Sequence, residues 1–320
     1  MANAAKIQPQ PNKKYRLITR SDMDGLVCAV LLKELKIIDD ITFVHPKDMQ
    51  DGKVEVSDSD ITTNLPYVEG VYLAFDHHSS EMERITDKKE NHVIDPNAAS
   101  AARVVYDYFG GAETFPKVSE DMMTAVDKAD SAGFTREDIL HPQGWELLSF
   151  LMDARTGLGR FHDFNISNYQ LMMNLIDTCR EKQDIVEILE LPDVKERVEL
   201  FRSHETKFKE QIERCSTVNK NVVVLDLRKE DTIWPGNRFM IYALFPQTSV
   251  SIHVMWGKNK QNTVFAVGKS ILNKTSKTQI GKLMLEYGGG GHAAAGTCQV
   301  SNLKADEILD EVIQKILETS

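Results

Sequence analysis

Between residues 15 and 109 short apolar runs alternate with helix-period segments, and this alternation constrains the fold more than any other feature. YRLIT (15–19) reads as a strand and DGLVCAVLLKELK (24–36) as a helix. ITFVH (41–45), VYLAFD (71–76) and HVID (92–95) read as further strands, and SAARVVYDYF (100–109) as a helix capped by Ser100. Such a pattern predicts an α/β fold with a doubly wound, mostly parallel sheet, whose ligands bind beyond the carboxyl ends of the strands. From about residue 119 to 216 the texture is helical, ending in a long charged helix. After Asn219 the runs NVVVLDLR, RFMIYALF, SVSIHVMWG and NTVFAVGKS read as strands. TQIGKLMLEYGGGGHAAAG reads as a helix, a glycine turn and a strand, and LKADEILDEVIQKILE as a closing helix. The expected organisation is a disordered lead-in (1–14), an α/β domain (15–190), a connector helix (191–218) and a smaller α/β domain (219–320), with the site in a cleft between the domains.

Composition narrows the function classes. The 320 residues are 42% hydrophobic, enough for real cores, yet no apolar run approaches the roughly 18 residues of a membrane span. The amino terminus lacks the apolar stretch of a signal peptide. Cys28, Cys179, Cys215 and Cys298 show no CxxC spacing and fit reduced thiols of a cytoplasmic protein rather than a cysteine zinc site. The net charge of −10 argues against coating long duplex DNA. Residues 221–320 nevertheless carry 11 Lys+Arg against 9 Asp+Glu. Between Asp231 and Glu286 there are seven bases and no acid, a surface suited to an anion.

Carboxylates and histidines gather at the predicted strand ends. RSDMDGL places Asp22 and Asp24 at the first strand-to-helix turn, where Asp24 could simply cap the helix. SDSDITTN supplies Asp60, with Asp58 as competitor; AFDHH supplies Asp76, His77 and His78; AVDKADSAGF supplies Asp127 and Asp130. Each cluster alone has an ordinary reading as turn or surface residues. Together they set several carboxylates and an imidazole near one sheet edge, where bare charges would repel and raise one another's pKa. Divalent cations resolve that conflict, and the donor set suits Mn²⁺, or Mg²⁺, better than a thiolate-loving metal. Two cations bridged by one Asp would activate water at neutral pH and clamp a phosphoryl group.

YGGGGHAAAG (287–296) offers a second feature. A helix C-cap explains one glycine; four in a row followed by His292 suggest backbone N–H groups closing on an anion. Lys269 and Arg238 are candidate companions, and WPGNRF offers Trp234 and Phe239 as stacking platforms or as core. Arg155 and Arg160, in DARTGLGRFH, could reach phosphates or lie in a solvated loop.

SDMDG, the Asp of SDITTN, FDHH, a helical Asp after the sheet and GGGGHAAAG, in that order over roughly residues 15–300, resemble the DHH/DHHA1 phosphoesterases. That family includes RecJ-type exonucleases, nanoRNA and cyclic-di-AMP phosphodiesterases and, through its first domain, family II pyrophosphatases. The resemblance implies a binuclear Mn²⁺ site. Asp22 would hold one ion and Asp24 the other, Asp60 would bridge them, and His77 and Asp130 (or Asp127) would complete the second. Asp76 would orient the ligands and His78 would face the scissile phosphate. Gly288, Gly289, Gly290, Gly291 and His292 would bind substrate.

One position departs from the family. Where it usually carries a histidine, two residues before the first Asp, this chain has Arg20, which cannot ligate a metal. The first ion site loses a nitrogen ligand, and Arg20 becomes a candidate for contacting phosphate. The expected activity is Mn²⁺-dependent hydrolysis of very short oligonucleotides, such as linear pGpG or nanoRNA, to nucleoside monophosphates. Alternatives are phosphoanhydride hydrolysis (polyphosphate or pyrophosphate) and a non-catalytic nucleotide sensor. A homodimer stays open.

Overall fold

Five parallel strands form the first sheet: β1 (Tyr15–Thr19), β2 (Ile38–Phe43), β3 (Asp60–Thr63), β4 (Leu73–Asp76) and β5 (His92–Ile94), in the order β2-β1-β3-β4-β5. The order reverses at β1, so the switch point lies between the carboxyl ends of β1 and β3, where a doubly wound sheet opens a crevice. The computed structural model describes residues 6–85, 87, 89–156, 158–161 and 163–319, excluding the side chains of Glu83 and Arg160. The chain divides into two units. The first comprises the residues up to Gly133, Gln143–Ala154 and Gly159–Val198; the second comprises Phe134–Pro142, Arg155–Leu158 and Glu199–Ser320. The boundary thus falls within the long helix Pro192–Cys215.

The Met23–Glu34 helix is buried at every residue from Met23 to Leu32, which is why its sequence is apolar all round. It packs against the helices Ala101–Tyr108, Glu120–Asp130 and Asn168–Glu181. Its first turn doubles back onto the end of β1. A Cβ at Gly25 would lie 1.9 Å from the Arg20 carbonyl oxygen, so only glycine fits there.

In the expected lead-in the Tyr108 and Tyr72 hydroxyls donate to the carbonyls of Ile7 (2.6 Å) and Gln8 (2.7 Å). Residues 1–5 lie outside the described residues. RFMIYALF is not a strand but contains the helix Met240–Leu244. A short, wholly apolar run has no period with which to tell a buried helix from a buried strand.

The second unit holds β6 (Ser216–Asn219), β7 (Val222–Asp226), β8 (Val250–Trp256), β9 (Thr263–Lys269), β10 (Gly290–Gly291) and β11 (Ala295–Val300), in the order β10-β11-β9-β8-β7-β6. Only β7 and β8 pair in parallel. Val222, Ile252, Val254 and Phe265 pack with Ile280, Met284, Val312 and Ile316 of two helices. The alternate residues of β8 meet the opposite layer, where the Tyr242 hydroxyl hydrogen-bonds Ser251 at 2.9 Å.

His253 lies on β8 between the fully buried Ile252 and Val254, and burial holds its imidazole down at about 4. Between about pH 6.5, the ordinary imidazole value, and about 4, the unfolded chain therefore binds a proton that the folded chain refuses. Acid in this window favours unfolding. His253→Gln is expected to lose less stability than wild type when denaturation is compared at pH 7.5 and pH 5. An equal loss in both proteins removes His253 from the acid response. Among the described residues no helix is long and apolar enough to cross a membrane.

Candidate metal centre

The turn after β1 presents two carboxylates in different surroundings. Asp22 caps the Met23–Glu34 helix: its Oδ1 accepts from Gly25 N at 3.0 Å and from Asn64 Nδ2 at 3.3 Å. The Arg20 guanidinium Nε lies 3.1 Å from Asp22 Oδ2. Asp24, 1% exposed, reaches the start of another helix, where Oδ2 accepts from Ala101 N at 3.0 Å and Oδ1 from Ala102 N at 2.7 Å. Those two N–H donors sit at the positive end of the Ala101–Tyr108 helix and stabilise a buried anion. Burial, then the charges of Asp130 and Asp22, still push Asp24 well above the usual carboxylate range.

β4 delivers Asp76 buried at its last residue, followed by the two histidines. Nδ1 of His77 lies 3.2 Å from the Ala98 carbonyl, so a proton donated there turns the Nε2 lone pair toward the carboxylates. Nε2 lies 2.6 Å from Asp130 Oδ2, the spacing of an ion pair, but their orientation makes no hydrogen bond. Burial would lower the His77 pKa, but Asp130 beside it, with Asp24 and Asp76, pushes it up to about 9. His78 Nδ1 lies 2.7 Å from Asp76 Oδ1, which orients the ring.

Among the described residues Asp24, His77 and Asp130 form one group of donors, with ligand atoms all within 4.8 Å of one another. Asp127 is engaged elsewhere, accepting from Ser100 Oγ at 2.7 Å and from Arg103 at 2.6 and 2.9 Å. Buried Asp76 Oδ2, Asn64 Oδ1 and His77 Nε2 have no hydrogen-bond partner. Mutually repelling carboxylates, one imidazole nitrogen and orphaned acceptors fit a divalent cation.

The structure overturns the bridging role expected of Asp60. Asp60 pairs with Arg16 at the amino end of the sheet, opposite the end that carries Asp22, Asp24 and His77. Arg16 donates to its two oxygens at 2.7 and 3.0 Å, and Ser57 N and Oγ add bonds of 2.6 and 3.1 Å. Burial would raise its pKa, but these donors prevail and hold it below the usual range. The residue at the carboxyl tip of β3 is Asn64, 1% exposed and with φ of 55°. Sequence reasoning misses Asn64 because DITT lacks the apolar run of a strand; buried Thr62 and Thr63 show that it is a central one.

In the second unit Gly288 and Gly289 bend the chain from the helix Ile280–Leu285 into β10 (Gly290–Gly291), and His292, exposed, opens the turn to β11. A Cβ at Gly289 would lie 2.0 Å from the Thr297 carbonyl oxygen, and Gly288 has φ of +74°, so packing alone demands glycine here. Lys269 N donates to the Ala294 carbonyl at 2.8 Å, which sets this lysine beside the hairpin. Arg238 lies over the Phe239 ring at 4.0 Å. Phe239 is buried core rather than a platform, and Trp234 already stacks on His204, with ring centroids 5.1 Å apart. Arg155 sits in the short turn Ala154–Thr156, and the Arg160 side chain lies outside the described residues.

No family model and no curated protein sequence matches the chain. Among solved structures, the pGpG-specific phosphodiesterase PggH of Vibrio cholerae is 60% identical, over 96% of this chain and 100% of that one, with a TM-score of 0.86. RecJ of Thermus thermophilus in complex with Mn²⁺ shares the fold at 13% identity, over 96% of this chain and 52% of that one, with a TM-score of 0.52. The chain belongs to the DHH phosphoesterases. In this DHH phosphoesterase the DHH triplet is Asp76-His77-His78, at the tip of the strand beside β3.

Proposed function

We propose that this chain hydrolyses the phosphodiester of pGpG, releasing nucleoside monophosphates, with Mn²⁺ as its working ion. The observation that carries the reading is the 60% identity to a pGpG-specific phosphodiesterase across that protein's full length. The convergence of Asp24, His77 and Asp130 within 4.8 Å supports it, because that donor set is present in this chain. A divalent cation held there would supply Lewis-acid charge at the phosphoryl oxygens and ease the deprotonation of water.

The other groups have separate tasks. Ala98 fixes the His77 ring through Nδ1. Asp76 holds His78 through Nδ1, leaving Nε2 to hydrogen-bond a phosphate oxygen or protonate the departing one. Arg20 supplies a permanent positive charge near the scissile group. In the second unit we assign the substrate's phosphate to the bend Gly288–Gly291 with His292 and Lys269, and Arg238 to the same anion.

Purified protein with Mn²⁺ is expected to hydrolyse pGpG with a higher initial rate than longer oligoribonucleotides, cyclic-di-GMP, cyclic-di-AMP or polyphosphate. Faster release of orthophosphate from polyphosphate would replace this reading, and nucleotide binding with no hydrolysis at all would make the chain a sensor.

A further inference from the structure

We propose that Arg20 occupies the place of a second cation, so that the centre holds a single divalent ion, on Asp24, His77 and Asp130. The inference rests on reading that group as the metal centre and is independent of the substrate assigned above.

The first observation is the set of donors around Asp22. Arg20 Nε lies 3.1 Å from Oδ2, while Gly25 N and Asn64 Nδ2 donate to Oδ1 at 3.0 and 3.3 Å. Both oxygens thus face N–H groups, one of them on a side chain that stays charged at any working pH. A cation reaching Asp22 would have to displace that guanidinium or sit against its charge. Asp24 differs: it accepts from neutral backbone N–H groups and a thiol, and the donors of His77 and Asp130 converge on it.

The second observation is independent. A cation pair needs an anionic bridge, and the buried residue at the tip of β3 between the β1 and β4 ends is the amide Asn64. The aspartate of that strand, Asp60, is held by Arg16 at the far end. An amide oxygen can ligate one ion but brings no charge to hold two together.

The test counts ions on the full-length protein without substrate, by Mn²⁺ electron paramagnetic resonance and elemental analysis after gel filtration. Wild type is expected to retain one Mn²⁺ per chain, with the spectrum of an isolated ion. Arg20→Lys, which keeps the charge, is expected to stay at one, and the double variant Arg20→His with Asn64→Asp, which supplies both a nitrogen ligand and an anionic bridge, to rise to two with an exchange-coupled signal. Two coupled ions in wild type overturn the proposal, as does an Arg20→His/Asn64→Asp protein that folds and still holds one. Hydrolysis is scored separately. A chain with one ion and no pGpG turnover sinks the substrate assignment alone; an active chain with two coupled ions sinks the role of Arg20 alone.

Discussion

Asp130→Asn is expected to weaken Mn²⁺ binding by at least about 100-fold, and hydrolysis with it, while Asp127→Asn, one helical turn earlier, leaves ion affinity near wild type. Asp130 Oδ2 stands 2.6 Å from His77 Nε2 and belongs to the converging donor group. Replacing one of its oxygens with an amide nitrogen removes a ligand charge, a larger change than the roughly 10–100-fold cost of altering an outer partner. Asp127 instead holds Arg103 and Ser100, both on or capping the helix whose N–H groups bind Asp24. Its loss weakens charge-assisted hydrogen bonds, which costs about 1–3 kcal/mol. For a unit of this size the melting temperature falls by roughly 2–4 °C per kcal/mol. Isothermal titration with Mn²⁺ and thermal melts on both variants separate the two effects. Equal losses of ion affinity in the two would place both aspartates in the centre.

Asp60→Ala makes the opposite prediction: a large loss of stability with turnover per folded molecule unchanged. The variant strands the Arg16 guanidinium at the amino end of the sheet and leaves Ser57 N without its 2.6 Å acceptor. Arg16 keeps about a third of its side-chain exposure, so water recovers part of the loss. The net cost is about 2–3 kcal/mol, below that of a fully buried pair. Urea denaturation gives the stability, and Mn²⁺ titration of the folded variant gives the affinity. If Asp60→Ala keeps wild-type stability but loses the ion, Asp60 belongs to the centre after all.

Which carboxylates meet depends on strand direction, and strand direction is only partly legible in a sequence. β4 announces itself as an apolar run ending in Asp-His-His, so Asp76, His77 and His78 can be placed at a strand tip from the sequence alone. β3 is four residues with two threonines, polar enough to read as loop, and its Asp stands at the start of the strand rather than after it. That one missed strand moves Asp60 to the wrong end of the sheet and hides Asn64. The choice between Asp127 and Asp130 is likewise closed to sequence: both lie on one helix, and only Arg103 and Ser100, arriving from another, claim the first.

The order of apolar runs and turns determined the alternating α/β architecture, the strand tips that carry Asp22, Asp24 and His77, and the glycine bend, because periodicity and φ-permissive residues are local properties. The tertiary structure decided which charges neutralise one another: Arg16 takes Asp60, Arg103 takes Asp127, Arg20 takes Asp22, and Asp24 is left with His77 and Asp130. Most of these pairings join residues far apart in the chain, and they follow from where the folded sheet and helices bring charges within a few ångströms, a distance that no spacing in the sequence encodes.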